Sequence, residues 1–192
     1  MGVPGTMGLP WPILATMRGI LAGIVSVVLA VVLPGVAGAA GSAATHCRYD
    51  HEANLSPGLS LEGSSGTIIG TASDPSSITC DGPVYGFTPS GPGTFVVSAQ
   101  YGTEDPDDCL RGGEGESDIT FTWPTTAGLR TASDHYHFAF AGPAHDPAND
   151  GPYRVHGRGG AFTFDGGAIP TRGDCVTKPL TRARARGVMT FG

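Results

Sequence analysis

Apolar and polar residues alternate strictly in a series of short runs after residue 44. Phe95, Val97, Ala99 and Tyr101 share one face, and Thr94, Val96, Ser98 and Gln100 the other. Ile119, Phe121 and Trp123 alternate with Thr120 and Thr122, and Tyr136, Phe138 and Phe140 alternate with His135, His137 and Ala139. Cys47 and Tyr49, Tyr153 and Val155, and Phe162 and Phe164 repeat the pattern, Thr67–Thr71 and Val84–Phe87 are short β-rich runs, and Arg186–Phe191 closes the chain. Period-two alternation over four to eight residues predicts half-buried strands. With turn residues between them, these runs predict an all-β, antiparallel sandwich or barrel of about 8–10 short strands. Two stretches read as longer loops: the acidic residues 102–116, and residues 142–152, nearly all turn formers.

The N-terminal region breaks this pattern. Arg18 is followed by an apolar run from Gly19 to Leu33, a Pro-Gly break and the small residues Ala37-Gly38-Ala39. One charge, an apolar segment of 15 residues and an Ala-x-Ala site are the parts of a secretory signal peptide. The apolar run is shorter than the roughly 20 residues of a membrane-spanning helix. The chain is therefore read as a signal peptide over 1–39, with Met17 as an alternative start, a short leader over 40–45, and a single β domain over 46–192. The reading places the domain outside the cell, with no membrane association after cleavage.

Composition sharpens this picture. With 31 Gly and 16 Pro, the chain is punctuated too often for long helices. Removing the leader takes the formal net charge from −6 to −7, which argues against a nucleic-acid partner. The four cysteines, Cys47, Cys80, Cys109 and Cys175, are widely spaced and form no Cys-x-x-Cys pair. In an exported chain an even count predicts two disulfides. Three connectivities are open. Cys47–Cys175 with Cys80–Cys109 is the expected one, because the first and last strands of a small β domain are often neighbours.

The order of landmarks carries a resemblance. Cys47 precedes Pro57-Gly58-Leu59; Cys80 and Cys109 precede Gly-spaced segments, the second leading to Ile119-Thr120-Phe121-Thr122-Trp123. Gly157-Arg158-Gly159-Gly160-Ala161-Phe162 follows, and Cys175 stands ahead of the closing strand. Over residues 46–191 this resembles a loose group of small secreted all-β proteins of Streptomyces and other actinobacteria. The resemblance implies a fold and an exported setting, and brings no functional residues with it.

The sharpest chemical feature is His135-Tyr136-His137. On a strand the two imidazoles lie on one face, about 7 Å apart, a separation that suits a shared Zn²⁺ or Cu²⁺. His145 or His156 is a candidate third ligand. The plainer reading leaves both histidines on the solvent side of a strand whose core face is Tyr136, Phe138 and Phe140. Asp146, Asn149 and Asp150 offer oxygen ligands for Ca²⁺ without the spacing of a calcium loop, and so does the acidic 104–118 segment; turn chemistry explains both. Arg182, Arg184 and Arg186 share one face of a strand, suited to the acidic loop, to an anionic glycan, or to protecting a sheet edge. No nucleophile elbow, zinc-protease motif or free thiol is present, although Asp134, Asp118 and Glu62 are available carboxylates. No cofactor motif is found, and the Gly-rich stretches do not open helices as phosphate cradles do. The expected function is therefore that of a secreted, non-catalytic β domain with a binding or structural role. The alternatives are a metal-binding protein using His135 and His137, or a secreted hydrolase or hydrolase inhibitor.

Cleavage at the small residues places the mature N-terminus between Ala40 and Thr45. Mass spectrometry of the secreted protein checks this, and a mature chain starting at Met1 or Met17 would contradict it.

Overall fold

The computed structural model describes residues 43–71, 73–74, 76–142 and 152–192. The signal segment, His145 and the 146–151 oxygen cluster lie outside the described residues, as do residues 72 and 75. Among the described residues the strands are β1 (Thr45–Leu59), β2 (Gly66–Gly70), β3 (Ser76–Cys80), β4 (Thr94–Tyr101), β5 (Gly113–Thr125), β6 (Gly128–Ala141), β7 (Tyr153–Gly159), β8 (Phe162–Arg172) and β9 (Leu180–Phe191). Every pairing is antiparallel, and the order β2-β4-β5-β6-β7-β8-β9-β1 closes on itself through β1–β2. The protein is an eight-stranded antiparallel barrel with one extra strand, β3, which resolves the sandwich-or-barrel alternative in favour of a barrel.

β3 continues the line of β2. Along β1, Asn54–Ser56 pair with β2 and Cys47–His51 pair with β3, so two short strands share one flank of β1. β4 lies on their other side, pairing with β2 and touching β3 through the Ile78–Gly93 bridge. Between those contacts the Ser76 hydroxyl donates to the Phe95 carbonyl at 2.7 Å and accepts from the Phe95 N–H at 3.1 Å, replacing a ladder pair with a side chain. β9 occupies the opposite flank of β1 from Thr45↔Phe191 to Asn54↔Arg182. The register then shifts before Leu59↔Leu180, around Pro57, which has no N–H to give a ladder.

The alternation read from the sequence is the inside–outside pattern of this wall. On β4, Phe95, Val97, Ala99 and Tyr101 are buried and their neighbours exposed. Several strands run longer than the apolar alternation, because Gly, Ser and Thr continue a ladder without marking a hydrophobic face. Val84–Phe87 is not a strand: Val84 and Phe87 exchange backbone hydrogen bonds around Tyr85 (φ 47°) and Gly86 (φ 78°), a two-residue turn of the type that needs positive φ at both central positions. Tyr85 is held there by packing on Phe121, Trp123 and Phe191 and by donating its hydroxyl to Asp134 at 3.3 Å. This turn caps one end of the barrel over a cluster of rings in which Phe121 and Trp123 stack with centroids 4.9 Å apart.

The disulfides are Cys47–Cys80 and Cys109–Cys175, with Cα separations of 3.9 and 6.2 Å. This corrects the expected pairing. β1 and β9 are indeed neighbours, but Cys47 lies opposite Met189, whereas Cys175 precedes Leu180 at the other end of β9. That length of strand is roughly 30 Å at about 3.3 Å per residue, far beyond the reach of a disulfide. Cys47 and Cys80 are directly paired on β1 and β3 at the capped end. Cys109 and Cys175 join the β4–β5 and β8–β9 connections at the opposite end.

Non-reducing peptide mapping should therefore recover 47–80 and 109–175 linked peptides and no free thiol. Replacing both Cys109 and Cys175 by Ser should lower unfolding stability by about 4 kcal/mol in the chain-entropy picture, measured by urea denaturation.

Candidate binding site in the barrel lumen

The inward faces of the staves do not fill the barrel. Beyond the ring cluster of the capped end lies a cavity of about 150 Å³, walled by residues such as Leu55, Val97, Ile119, Phe138 and Met189. Its lining is aliphatic and aromatic, with the polar tips of a few tyrosines and of His51. Tyr101 donates to the Pro57 carbonyl, and buried Tyr136 hydrogen-bonds Ser117, its partner across the β5–β6 ladder. Burial pushes the Tyr136 phenol up to about 12.

Two neighbouring side chains on β1 lack such partners. The Tyr49 hydroxyl and both ring nitrogens of His51 are buried without a hydrogen bond. A buried polar group left unpaired costs about 1–3 kcal/mol, so these atoms are positioned at the expense of stability. Each ring lies over a glycine of the barrel wall, His51 over one on the adjacent β2 and Tyr49 reaching across β9 to one on β8. A Cβ on Gly166 would fall 2.5 Å from the Tyr49 oxygen, and one on Gly70 would overlap the His51 imidazole. The Tyr49 phenol is shifted upward, first by burial and then by Tyr136 and Asp165. His51 packs against Phe95 with ring centroids 4.7 Å apart, and burial pushes its imidazole down to about 4 against the opposing pull of Asp74, Asp50 and Glu52. At neutral pH it is an uncharged ring facing an apolar space.

The outer wall carries the histidine pair singled out in the sequence. His135 and His137 are exposed on β6, and the core face of that strand is Tyr136 and Phe138, with Phe140 half-buried. Register sets Glu116 opposite His137 and Asp118 opposite His135. His135 Nδ1 lies 3.0 Å from Asp118 Oδ1, and this hydrogen bond is the main cause of the upward shift of its imidazole. Glu116 reaches both rings, 3.7 Å from His135 Nε2 and 3.4 Å from His137 Nδ1. His156 stands opposite Ala139 and does not join this group.

Most of the remaining candidates have structural partners. Asp134 accepts from the Gly160 and Ala161 N–H groups and from Tyr85, binding the β7–β8 turn to the cap. Asp118 is on the outer wall and Glu62 in the β1–β2 connection, so the three carboxylates are not brought together. In the acidic loop, the Asp107 carboxylate accepts from the Gly102 N–H and the Asp108 carboxylate from those of Leu110 and Arg111, so both serve the turns of their own loop. Arg182, Arg184 and Arg186 meet neither that loop nor a sheet edge. β9 is flanked by β8 and β1, and its arginines pair with Glu52, Asp74 and Asp50. Arg184 grips Asp50 with two 2.6 Å hydrogen bonds, the first cause of the lowered Asp50 carboxyl.

Comparison with protein-family models, curated proteins and solved structures finds no match for this chain. Tyr49, His51 and Glu116 were not singled out by the sequence analysis. The signal for the first two was available: His51 has the same parity as Cys47 and Tyr49 and therefore faces inward with them.

The buried imidazole gives the protein a defined acid response. The unfolded chain protonates His51 near 6.5, while the folded chain resists until about pH 4. Between those values the unfolded state binds more protons, so stability falls as pH falls, by about 3 kcal/mol across the window. Urea unfolding at pH 7.5, 6 and 5 should show this loss in the wild type and a flatter dependence in His51→Gln.

Proposed function

We propose that this chain is a secreted, non-catalytic binding protein whose barrel holds one small apolar or aromatic molecule bearing a single hydrogen-bonding group. The observation that carries the reading is the pairing of an apolar cavity with unpartnered polar atoms of Tyr49 and His51 at its wall. Eight-stranded barrels sit at the size where the interior is either filled or just holds a small ligand. An apolar cavity of about 150 Å³ is large enough for a molecule of benzene's size. One hydroxyl or carbonyl on such a molecule would satisfy a group that is otherwise orphaned, and would orient the ligand along β1. Two disulfides are consistent with an oxidising setting and fit the reading of the leader as a secretion signal.

Toluene and p-cresol, equal in shape apart from one hydroxyl, test this directly. Both should raise the melting temperature of the purified barrel, p-cresol more. Tyr49→Phe should reduce the p-cresol advantage by roughly five-fold in affinity, the scale of one net hydrogen bond, and leave toluene unaffected. Ala183→Leu, which fills the lumen from β9, should abolish both effects while keeping the far-ultraviolet dichroism. No stabilisation of the wild type by either compound at saturation would overturn the proposal.

A further inference from the structure

The outer face of the β5–β6 hairpin carries a group that the lumen does not use. Glu116, His135 and His137 each present one ligand atom, and these atoms all lie within 4.8 Å of one another. We propose that they form a binding site for a divalent transition-metal ion, with Asp118 positioning His135.

The geometry supports this in three ways. First, the donor set is two imidazoles and one carboxylate, which suits Zn²⁺, Cu²⁺ or Ni²⁺ and not the all-oxygen preference of Ca²⁺ or Mg²⁺. Secondly, the donors converge. Glu116 Oε1 stands 3.4 Å from His137 Nδ1 and its Oε2 3.7 Å from His135 Nε2, so that the carboxylate spans both rings near the roughly 3.4 Å between neighbouring ligands around a tetrahedral ion with bonds of about 2.1 Å. The side chains are more than half exposed, so bringing the two imidazoles closer requires only rotation about side-chain bonds. Thirdly, His135 is oriented: its Nδ1 faces Asp118 at 3.0 Å, which directs Nε2 toward Glu116. A carboxylate on the far nitrogen of a ligating histidine is the usual means of fixing its tautomer and aim. The backbone beneath is rigid, because Glu116↔His137 and Asp118↔His135 are directly opposed pairs in a continuous ladder of the barrel wall. Arg158, opposite His137 on β7, is the nearest cation in register and sits on the side away from Glu116.

Three protein ligands leave the remaining positions of the ion to water or to a small anion from solution. By the usual order of divalent affinities Cu²⁺ should bind more tightly than Zn²⁺.

The test is titration calorimetry of the mature protein with ZnCl₂ and CuCl₂ in a non-chelating buffer at pH 7.5, with electron paramagnetic resonance of the Cu²⁺ form. One ion per chain is expected, with a spectrum showing two nitrogen ligands. His137→Ala should remove one nitrogen from that spectrum and weaken Zn²⁺ binding at least ten-fold, and Glu116→Gln should weaken it similarly while keeping both nitrogens. Asp118→Asn should cost about ten-fold, the scale of an outer-shell carboxylate. His46→Ala, at the capped end, should change nothing. Equal binding by the wild type and a His135→Ala/His137→Ala double variant, or no uptake by the wild type at 100-fold molar excess, would overturn the proposal. These residues face solvent, so the outcome is independent of whether the lumen binds a ligand.

Discussion

Strand β1 makes the closure on which the rest of the molecule depends. It is the longest strand, and it pairs with β9 on one flank and with both β2 and β3 on the other. Sheet edges expose unpaired backbone groups, and a closed barrel removes them. The barrel therefore exists only if this one strand satisfies both flanks along its length. Its inward residues, Cys47, Tyr49, His51, Ala53 and Leu55, consequently serve three ends at once: a disulfide, the lumen wall and the two orphaned polar groups. Its outward residues meet the β9 arginines, so the seam joining the first strand to the last is marked by charge pairs along its outer side. Each is a partly exposed pair, worth little alone; the bidentate Arg184–Asp50 contact has the geometry that makes such a pair count.

The two ends of the barrel are secured differently. Aromatic rings plug the end near Thr45 and Phe191, where Tyr85 accepts an unusual backbone conformation in exchange for burial among them. At the other end, among the described residues, the Cys109–Cys175 disulfide ties two loops together. This asymmetry leaves the cavity beyond the ring cluster and not within it.

The parity of buried positions was legible because the strands are amphipathic, and it was right for β4, β5, β6 and the start of β8. It also put both histidines of β6 outside. β3 and the outer halves of β1 and β8 were hidden, since Ser, Thr and Gly extend a strand without an apolar face. Disulfide connectivity was not legible because it depends on which end of the barrel each cysteine occupies, a property of closure and not of spacing. The partner of the histidines was nearer to hand. A two-residue turn at Thr126-Ala127 fixes the β5–β6 register, and that register alone sets Glu116 opposite His137.

The glycines have a meaning that their number conceals. In the sequence they read as punctuation, yet Gly70, Gly157 and Gly166 lie within strands, beneath the rings of His51, Phe164 and Tyr49. Each is a vacancy in the wall that lets a large side chain lie back against the sheet. A methyl group at Gly70 would meet the His51 ring first and drive it toward the barrel axis, whereas at Gly157 and Gly166 it would also strike the carbonyl oxygens of His137 and Arg186 on the neighbouring strands, so that the wall itself would have to give. The room for these rings, and with it the shape of the lumen, thus depends on wall positions that have no side chain.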